Sequence, residues 1–500
     1  MGRTKIFLIN GIVLTVTTLV MRSIGFVFNI YIAKKVGSEA VGVFGLVMSV
    51  YLFAITFATS GLSLACTYLV SEKLAKKDYS CGINILKTCI SYACFLGVTA
   101  MFFLILFAPI ISKICLKDKI NVYPIYSMAI GLPLIAISSV IGGFFNSIGK
   151  AFKNSISQTF ELTVKMVVTI IILNFYFSND INKICTMLIL ADVVSEIASF
   201  LLNIIFYKLE KRNFNTSSKC SDKVKKKILK ISFPVAITSY IRSGLSSFKQ
   251  FLIPTSLEKS GISYSLAISN YGIINGMVMP ILMFFSVFIT SFASLLVPEF
   301  SRLLAGNNHN RMKYVCETIF KNSFIFSIGI GSILFFFSSE ISYAIYQNLS
   351  CDFWIKILSP LVIFMYIDTI IDNLLKGINE SFWVMCCNII DLVTTITILY
   401  FLVPILGMTG YIFSIYVSEI LNFTISNFQL KKKIPFKLSL KKFILLPFIS
   451  SILSYFLTNL IKITFNNFIW FLIFKILIYL ILYILILLIF YKIKNICKNN

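Results

Sequence analysis

Fourteen long apolar runs follow one another along the chain, near residues 6–33, 41–70, 83–112, 123–146, 154–177, 185–207, 230–256, 270–297, 319–340, 355–375, 382–404, 409–430, 442–462 and 468–491. Each is close to the roughly 20 residues a helix needs to cross about 30 Å of hydrocarbon. Such runs fold only where lipid is the solvent. Within hydrocarbon a spanning segment must satisfy its own backbone hydrogen bonds, so helices are expected. Composition agrees: 58% of residues are hydrophobic and 13% charged, against about 25% charged in soluble domains. The chain is therefore expected to be an all-α integral membrane protein. Soluble enzymes, transcription factors and secreted binding modules are excluded. The first run is too long for a signal-peptide core and has no A-x-A cleavage site, so it reads as a retained helix.

The net charge of +25 does not point to nucleic acid, because Lys and Arg sit at the ends of the apolar runs. With the N-terminus on the cytoplasmic side and the loops alternating, most of them fall on that side. This includes the stretch 208–230, KLEKRNFNTSSKCSDKVKKKILK. The positive-inside rule then places both termini in the cytoplasm of a multi-pass cell-membrane protein, and the basic stretch suits anionic headgroups.

The polar stretch follows six runs and precedes eight, and the flanking halves match each other. Arg22-Ser23 aligns with Arg242-Ser243, Gly45 with Gly272, Glu72 with Glu299, Ile148 with Ile378, Glu161 with Asp391, and Glu196 with Glu419, all in the same order. Intramembrane charges are rare, so their recurrence points to a duplication. An even number of helices inserts both copies the same way up, giving parallel repeats. The expected organisation is a six-helix lobe at 1–207, a basic cytoplasmic linker at 208–229, a second six-helix lobe at 230–430, and two added helices with a tail at 431–500. The two lobes are expected to surround a central cavity.

Charges inside spans are the candidate functional groups. A charged side chain at mid-bilayer costs at least about 2.5–3.5 kcal/mol, so each should face water, a ligand or a partner. Arg22 and Arg242 recur in both repeats, cannot be neutralised, and can grip a phosphate bidentately. With Lys249 they form the candidate anion site, and salt bridges to carboxylates on other helices are the structural alternative. Asp368 and Asp372 are like-charged at i,i+4. Together with Asp391, Glu196, Glu419, Glu72 and Glu299 they are candidates for a coupling-ion site or for gating. Asp192 and Lys475 are further intramembrane charges, and Glu161 and Lys165 have the spacing of a local pair. The twelve cysteines include no CxxC pair and read as small buried hydrophobes. His309 is the sole histidine and lies in the polar segment GNNHNR. No metal cluster, P-loop or Ser-His-Asp set is present, so no catalytic residue, metal or cofactor is expected. A membrane glycosyltransferase or ligase is poorly supported, since the outer loops are short.

Several segments resemble the stage V sporulation protein B family of polysaccharide-biosynthesis transporters. They are Arg22-Ser23-Ile24-Gly25-Phe26, Ala58-Thr59-Ser60-Gly61-Leu62, Leu69-Val70-Ser71-Glu72-Lys73, Gly143-Phe144-Phe145-Asn146 and Ser157-Gln158-Thr159-Phe160-Glu161. That family belongs to the multidrug/oligosaccharidyl-lipid/polysaccharide exporter superfamily and is related to lipid II flippases. The resemblance implies a bacterial two-lobed flippase for a polyprenyl-pyrophosphate-linked sugar, with Arg22 and Arg242 in the cavity. The expected partners are that anionic lipid and the membrane, with no nucleic acid, and the protein is expected to act as a monomer. A cation-coupled multidrug exporter of the same superfamily is the alternative.

Overall fold

The computed structural model describes residues 3–76, 78–115, 121–176, 178, 180–211, 223–436, 441–461 and 467–499, and these are helical almost throughout. Of the long basic stretch, residues 212–222 lie outside the described residues. The first helix, α1, covers Arg3–Thr59. At about 1.5 Å per residue it would be more than twice as long as a bilayer is thick, so it has to turn back. The helical path breaks at Gly37, whose φ of 82° and ψ of 169° lie outside the helical region. A residue with a Cβ would be strained there.

The remaining helices of the N-terminal half are α2 (Leu62–Ala75), α3 (Tyr79–Cys115), α4 (Tyr123–Ser147), α5 (Ala151–Phe175), α6 (Ile181–Lys211) and α7 (Lys223–Lys259). Then come α8 (Tyr264–Tyr271), a wide π-type turn at Gly272–Val278, α9 (Met279–Phe284), α10 (Ser286–Ala305), α11 (His309–Phe336) and α12 (Ser338–Tyr346). The chain continues through α13 (Asp352–Leu358), α14 (Leu361–Gly377), α15 (Ser381–Phe401), α16 (Val403–Leu406), α17 (Met408–Lys433), α18 (Leu446–Leu460) and α19 (Phe468–Asn499). Pro280 lies in the first turn of α9, directly after the wide turn, where its missing N–H is tolerated.

Eleven described helices are long and apolar enough to cross a membrane, or twelve if α13 and α14, bent by 51°, form one crossing. The protein is thus a multi-pass membrane protein. The count is consistent with the fourteen expected spans. The stretch Leu19–Ala75 is reckoned once although its helical path breaks at Gly37, while Tyr264–Phe284 and Ser286–Ala305 divide the run expected at 270–297. The helices α7 and α17 carry lysines and polar side chains that take them out of the reckoning. Large apolar side chains such as Phe95, Phe102, Phe107, Trp470 and Leu488 are exposed, as lipid solvation requires.

Two compact units result. One comprises residues 1–255 and 263–272, and the other comprises 256–262 and 273–500. In the first, α4 is the central helix and packs on α2, α3 and α6. In the second, α14 takes that place against α10, α11 and α17. Spatially α7 groups with the first unit, whereas its sequence matches make it the opening helix of the second repeat. The reason is local: Tyr240 Oη donates to Phe57 O at 3.1 Å and Ser247 Oγ to Ser49 O at 2.8 Å. Both bonds pin α7 along the second limb of α1.

The two added helices are built into the second unit. Tyr479 Oη meets Ser332 Oγ at 2.7 Å, Tyr483 Oη donates to Ile325 O at 2.8 Å, and Lys475 Nζ reaches Glu340 Oε1 at 3.3 Å. Residues 475, 479 and 483 are spaced by four and so share one face of α19. The intramembrane charge of Lys475 is thereby accounted for.

The repeat is visible in the turns. Between α4 and α5, Ile148 N donates to Phe144 O and Lys150 N to Phe145 O. Between α14 and α15, Ile378 N donates to Leu374 O and Glu380 N to Leu375 O, each residue 230 positions on. Gly149 and Asn379, at φ 72° and 64°, occupy the same left-handed position. The adjacent ion pair recurs with its charges exchanged. Lys150 binds Glu210 at 2.8 Å at the end of α6, and Glu380 binds Lys433 at 2.6 Å at the end of α17. The Lys433 ammonium and the Gln429 amide hold the Glu380 carboxyl below its ordinary range. A carboxylate depressed in this way adds stability above its unfolded pKa and loses it as pH falls through the acidic range. Glu380→Lys should therefore loosen this turn, and the exchange Glu380→Lys with Lys433→Glu should restore it, since it reproduces the N-terminal arrangement. The pair is partly exposed, so the expected effect is within about 1 kcal/mol. Thermal melts of the two variants and the wild type measure it.

Candidate functional site

Two helices of the first unit present polar stripes. On α5, Asn154, Gln158, Glu161 and Lys165 recur at i, i+4, i+7 and i+11. On α6, Asp192, Glu196, Ser199 and Asn203 recur with the same spacing. That spacing keeps each set on one helical face. The two faces, with polar positions of α4, enclose a cavity of about 380 Å³. Glu161 and Glu196 line it, with Ser138 and Ser139 from α4 and Ser63 from α2.

Each intramembrane charge of this unit has a definite setting. Tyr51 Oη donates to Glu196, at 2.6 and 2.8 Å from its two carboxylate oxygens. Gly131 of α4 backs this contact: a Cβ there would collide with Glu196 Oε2 and sit 2.5 Å from Tyr51 Oη. Lys165 pairs with Asp192 on α6, not with Glu161 as its i,i+4 spacing suggested. Asp192 is 5% exposed. Glu161 is left facing the cavity.

The candidate anion-binding residues lie on the same unit. Arg22 is exposed on the first limb of α1, Arg242 is exposed on α7, and Lys249 is half-buried two turns further along α7. The anchors at Tyr240 and Ser247 flank Arg242 and fix its place on the helix. Among the described residues, neither Arg242 nor Lys249 forms an ion pair with a carboxylate.

The acidic candidates of the second unit lie on α14, α15 and α17. Asp368 is 8% exposed. Its Oδ2 accepts from Asn422 Nδ2 at 2.9 Å, while Oδ1 has no hydrogen-bond partner. Asp391 Oδ1 accepts from Ser418 Oγ at 2.5 Å. Asp372 follows Asp368 by one turn, and Glu419 sits beside Ser418 on α17. Glu72 is engaged by Lys76 at 2.9 Å near the end of α2, and Glu299 is half-buried on α10. Among the described residues, no group of three or more His, Cys, Asp or Glu is arranged to hold a metal ion. Cys66, Cys89, Cys185, Cys316, Cys351 and Cys387 are buried free thiols, as expected of small apolar fillers, whereas Cys81 is disulfide-bonded.

The charge-by-charge reading of the sequence missed the neutral members of these stripes: Asn154, Gln158, Ser199 and Asn203 on the first unit, Ser418 and Asn422 on the second. The signal that would have found them is the 4-3-4 spacing of polar residues around the charges on α5 and α6, and the spacing of four between Ser418 and Asn422 on α17.

The model of the polysaccharide biosynthesis protein family matches residues 7–304. Stage V sporulation protein B of Bacillus subtilis (strain 168) is 25% identical over 452 residues, covering 88% of this chain and 86% of that protein. Lipid II flippase MurJ of the same organism is 29% identical over 163 residues, which is 31% of this chain and 30% of that one. Among solved structures, lipid II flippase MurJ in its inward closed conformation superposes with a TM-score of 0.71 at 17% identity, covering 96% of this chain and 99% of that one. An inward-facing multidrug resistance MATE family transporter of the MOP superfamily gives 0.61 at 14% identity, covering 83% and 95%. The named activities among these proteins are flipping and transport, not enzymatic catalysis. With more than half of its length matched by the family model, the chain belongs to the polysaccharide biosynthesis protein family.

Proposed function

We propose that the protein flips a polyprenyl-pyrophosphate-linked sugar, a precursor of peptidoglycan or another polysaccharide, across the cytoplasmic membrane by alternating access. Arg22, Arg242 and Lys249 would hold the pyrophosphate while the polyprenyl tail stays in lipid. The observation that carries this reading is the setting of Arg242 and Lys249. Cations within a span that are not paired with carboxylates need water or an anion beside them. A guanidinium fork is matched to phosphate oxygens. The likeness to stage V sporulation protein B and to lipid II flippases supports a lipid-linked substrate, and a monomer suffices for it.

The test is translocation of a fluorescent undecaprenyl-pyrophosphoryl sugar in vesicles containing the purified protein. Rates matching protein-free vesicles across several headgroups would sink the reading. The orientation has its own test. A reporter fused after Lys211 should be cytoplasmic, and one fused near Lys259 should be external. A cytoplasmic signal at Lys259 would invert the topology.

A second reading, cation-coupled drug export, draws on the buried Asp368, whose Oδ1 has no hydrogen-bond partner, and on the MATE-like fold. It predicts that a deletion strain changes its tolerance to cationic dyes. The flippase reading predicts a cell-wall or spore-cortex defect instead.

A further inference from the structure

Arg22, Arg242 and Lys249 do not line the cavity between α4, α5 and α6, yet it is built as a ligand pocket. Its volume of about 380 Å³ falls in the range of small-molecule sites, roughly 300–1,000 Å³. Four primary amides line it, on Asn146, Asn154, Gln158 and Asn203, together with four serines and the carboxylates of Glu161 and Glu196. Asn203 is only 3% exposed, and its Oδ1 has no hydrogen-bond partner. A buried amide oxygen left in this state costs free energy unless something in the cavity donates to it.

The lining selects among ligands. A lone metal ion wants only oxygen acceptors in a tight shell at about 2.3–2.6 Å. This cavity is far larger than that, and each amide also brings two N–H donors that an ion cannot use. A ligand with many hydroxyls both donates and accepts, and so uses both halves of each amide. No Lys or Arg lines the cavity, which disfavours phosphate. Two carboxylates do line it. Glu196 is already bound to Tyr51; Glu161, with Ser199 as hydrogen-bond partner and Lys165 one turn away but ion-paired to Asp192, is the lining carboxylate open to a positive charge.

We propose that this cavity of the N-terminal unit binds a monosaccharide-sized, polyhydroxylated amine of the amino-sugar class. In this site Glu161 receives the ammonium, and the amides with Asn203 receive the hydroxyls. Binding here does not depend on the flippase reading and is measured without transport.

The experiment uses the purified full-length protein in detergent, with glucosamine, N-acetylglucosamine and sodium chloride as probes. Saturation-transfer NMR and ligand-dependent melting report binding. Glucosamine should bind about tenfold more tightly than its N-acetylated form, the scale of one charge-assisted contact. Glu161→Gln should erase that preference. Ser139→Leu, which fills the cavity, should abolish binding of both sugars. Should that variant fail to fold, Gln158→Leu at an exposed lining position carries the same test and should weaken both. Absence of saturation transfer to either sugar overturns the proposal. So does unchanged binding in the filled variant, or a stabilisation that sodium chloride reproduces alone and sugar does not increase.

Discussion

Arg22→Ala and Arg242→Ala should each abolish flipping in reconstituted vesicles while insertion and expression stay near wild type. The size of the effect follows from where the groups lie. A charge-assisted hydrogen bond is worth about 1.5–3 kcal/mol, and a guanidinium on a phosphate supplies two in parallel. Losing both should lower flipping by about two to four orders of magnitude, since 1.4 kcal/mol is a factor of ten. Lysine at either position should rescue only partly, because it keeps the charge and loses the planar fork. The structural alternative makes the opposite prediction. If either arginine served a buried salt bridge, its alanine variant would melt earlier by an amount typical of a broken pair, about 3–5 kcal/mol. Removal of the partner carboxylate would then restore it. Arg242 is exposed and pairs with no described carboxylate, so the melting temperature of Arg242→Ala should stay close to wild type while transport is lost. Full transport by both alanine variants would remove these residues from the substrate site and favour the acidic clusters.

The membrane architecture was legible because lipid leaves so little choice. Apolar runs of spanning length can only be helices. The duplication was legible because charges are scarce in spans. Ile148 and Ile378, matched on sequence alone, close the same turn in the structure. The spatial grouping of α7 was not legible. It depends on Tyr240 and Ser247 finding carbonyls of α1, and no periodicity announces a hydrogen bond between distant helices. Pair choice was misread for a similar reason. Lys165 lies one turn from Glu161, and local spacing favours that pairing by a few tenths of a kcal/mol at most. Asp192 on α6 is far more deeply buried and has more to gain from a cation, so tertiary packing decides the matter. The neutral polar residues beside the charges escaped notice because Asn, Gln and Ser are ordinary in loops. They become informative only when their spacing shows that they share a face inside a span.

The Lys165–Asp192 pair should produce the largest stability effect in the first unit. Asp192 is 5% exposed, and Lys165 reaches it from the neighbouring helix. Lys165 also lies 6.0 Å from the centre of the Phe44 ring on α1, so the ammonium ties three elements together. Lys165→Met leaves an uncompensated carboxylate in a dry helix interface, and Asp192→Leu leaves an ammonium there. Removing one partner of such a pair costs about 3–5 kcal/mol. Lys165 is partly exposed, which places its ammonium nearer water and the expected loss toward the lower end. The double variant Lys165→Met with Asp192→Leu removes both charges and fills the space with apolar atoms. Replacing a buried ion pair this way is often neutral or stabilising, so the double variant should melt near or above wild type. Flipping separates the remaining possibilities. If the pair only fastens α5 to α6, the double variant should transport at the wild-type rate. If Asp192 exchanges its lysine for a coupling ion during the cycle, the double variant should be stable and inactive. The setting here, with the carboxylate enclosed between two helices and the cavity lined by Glu161 and Glu196 instead, predicts the first outcome.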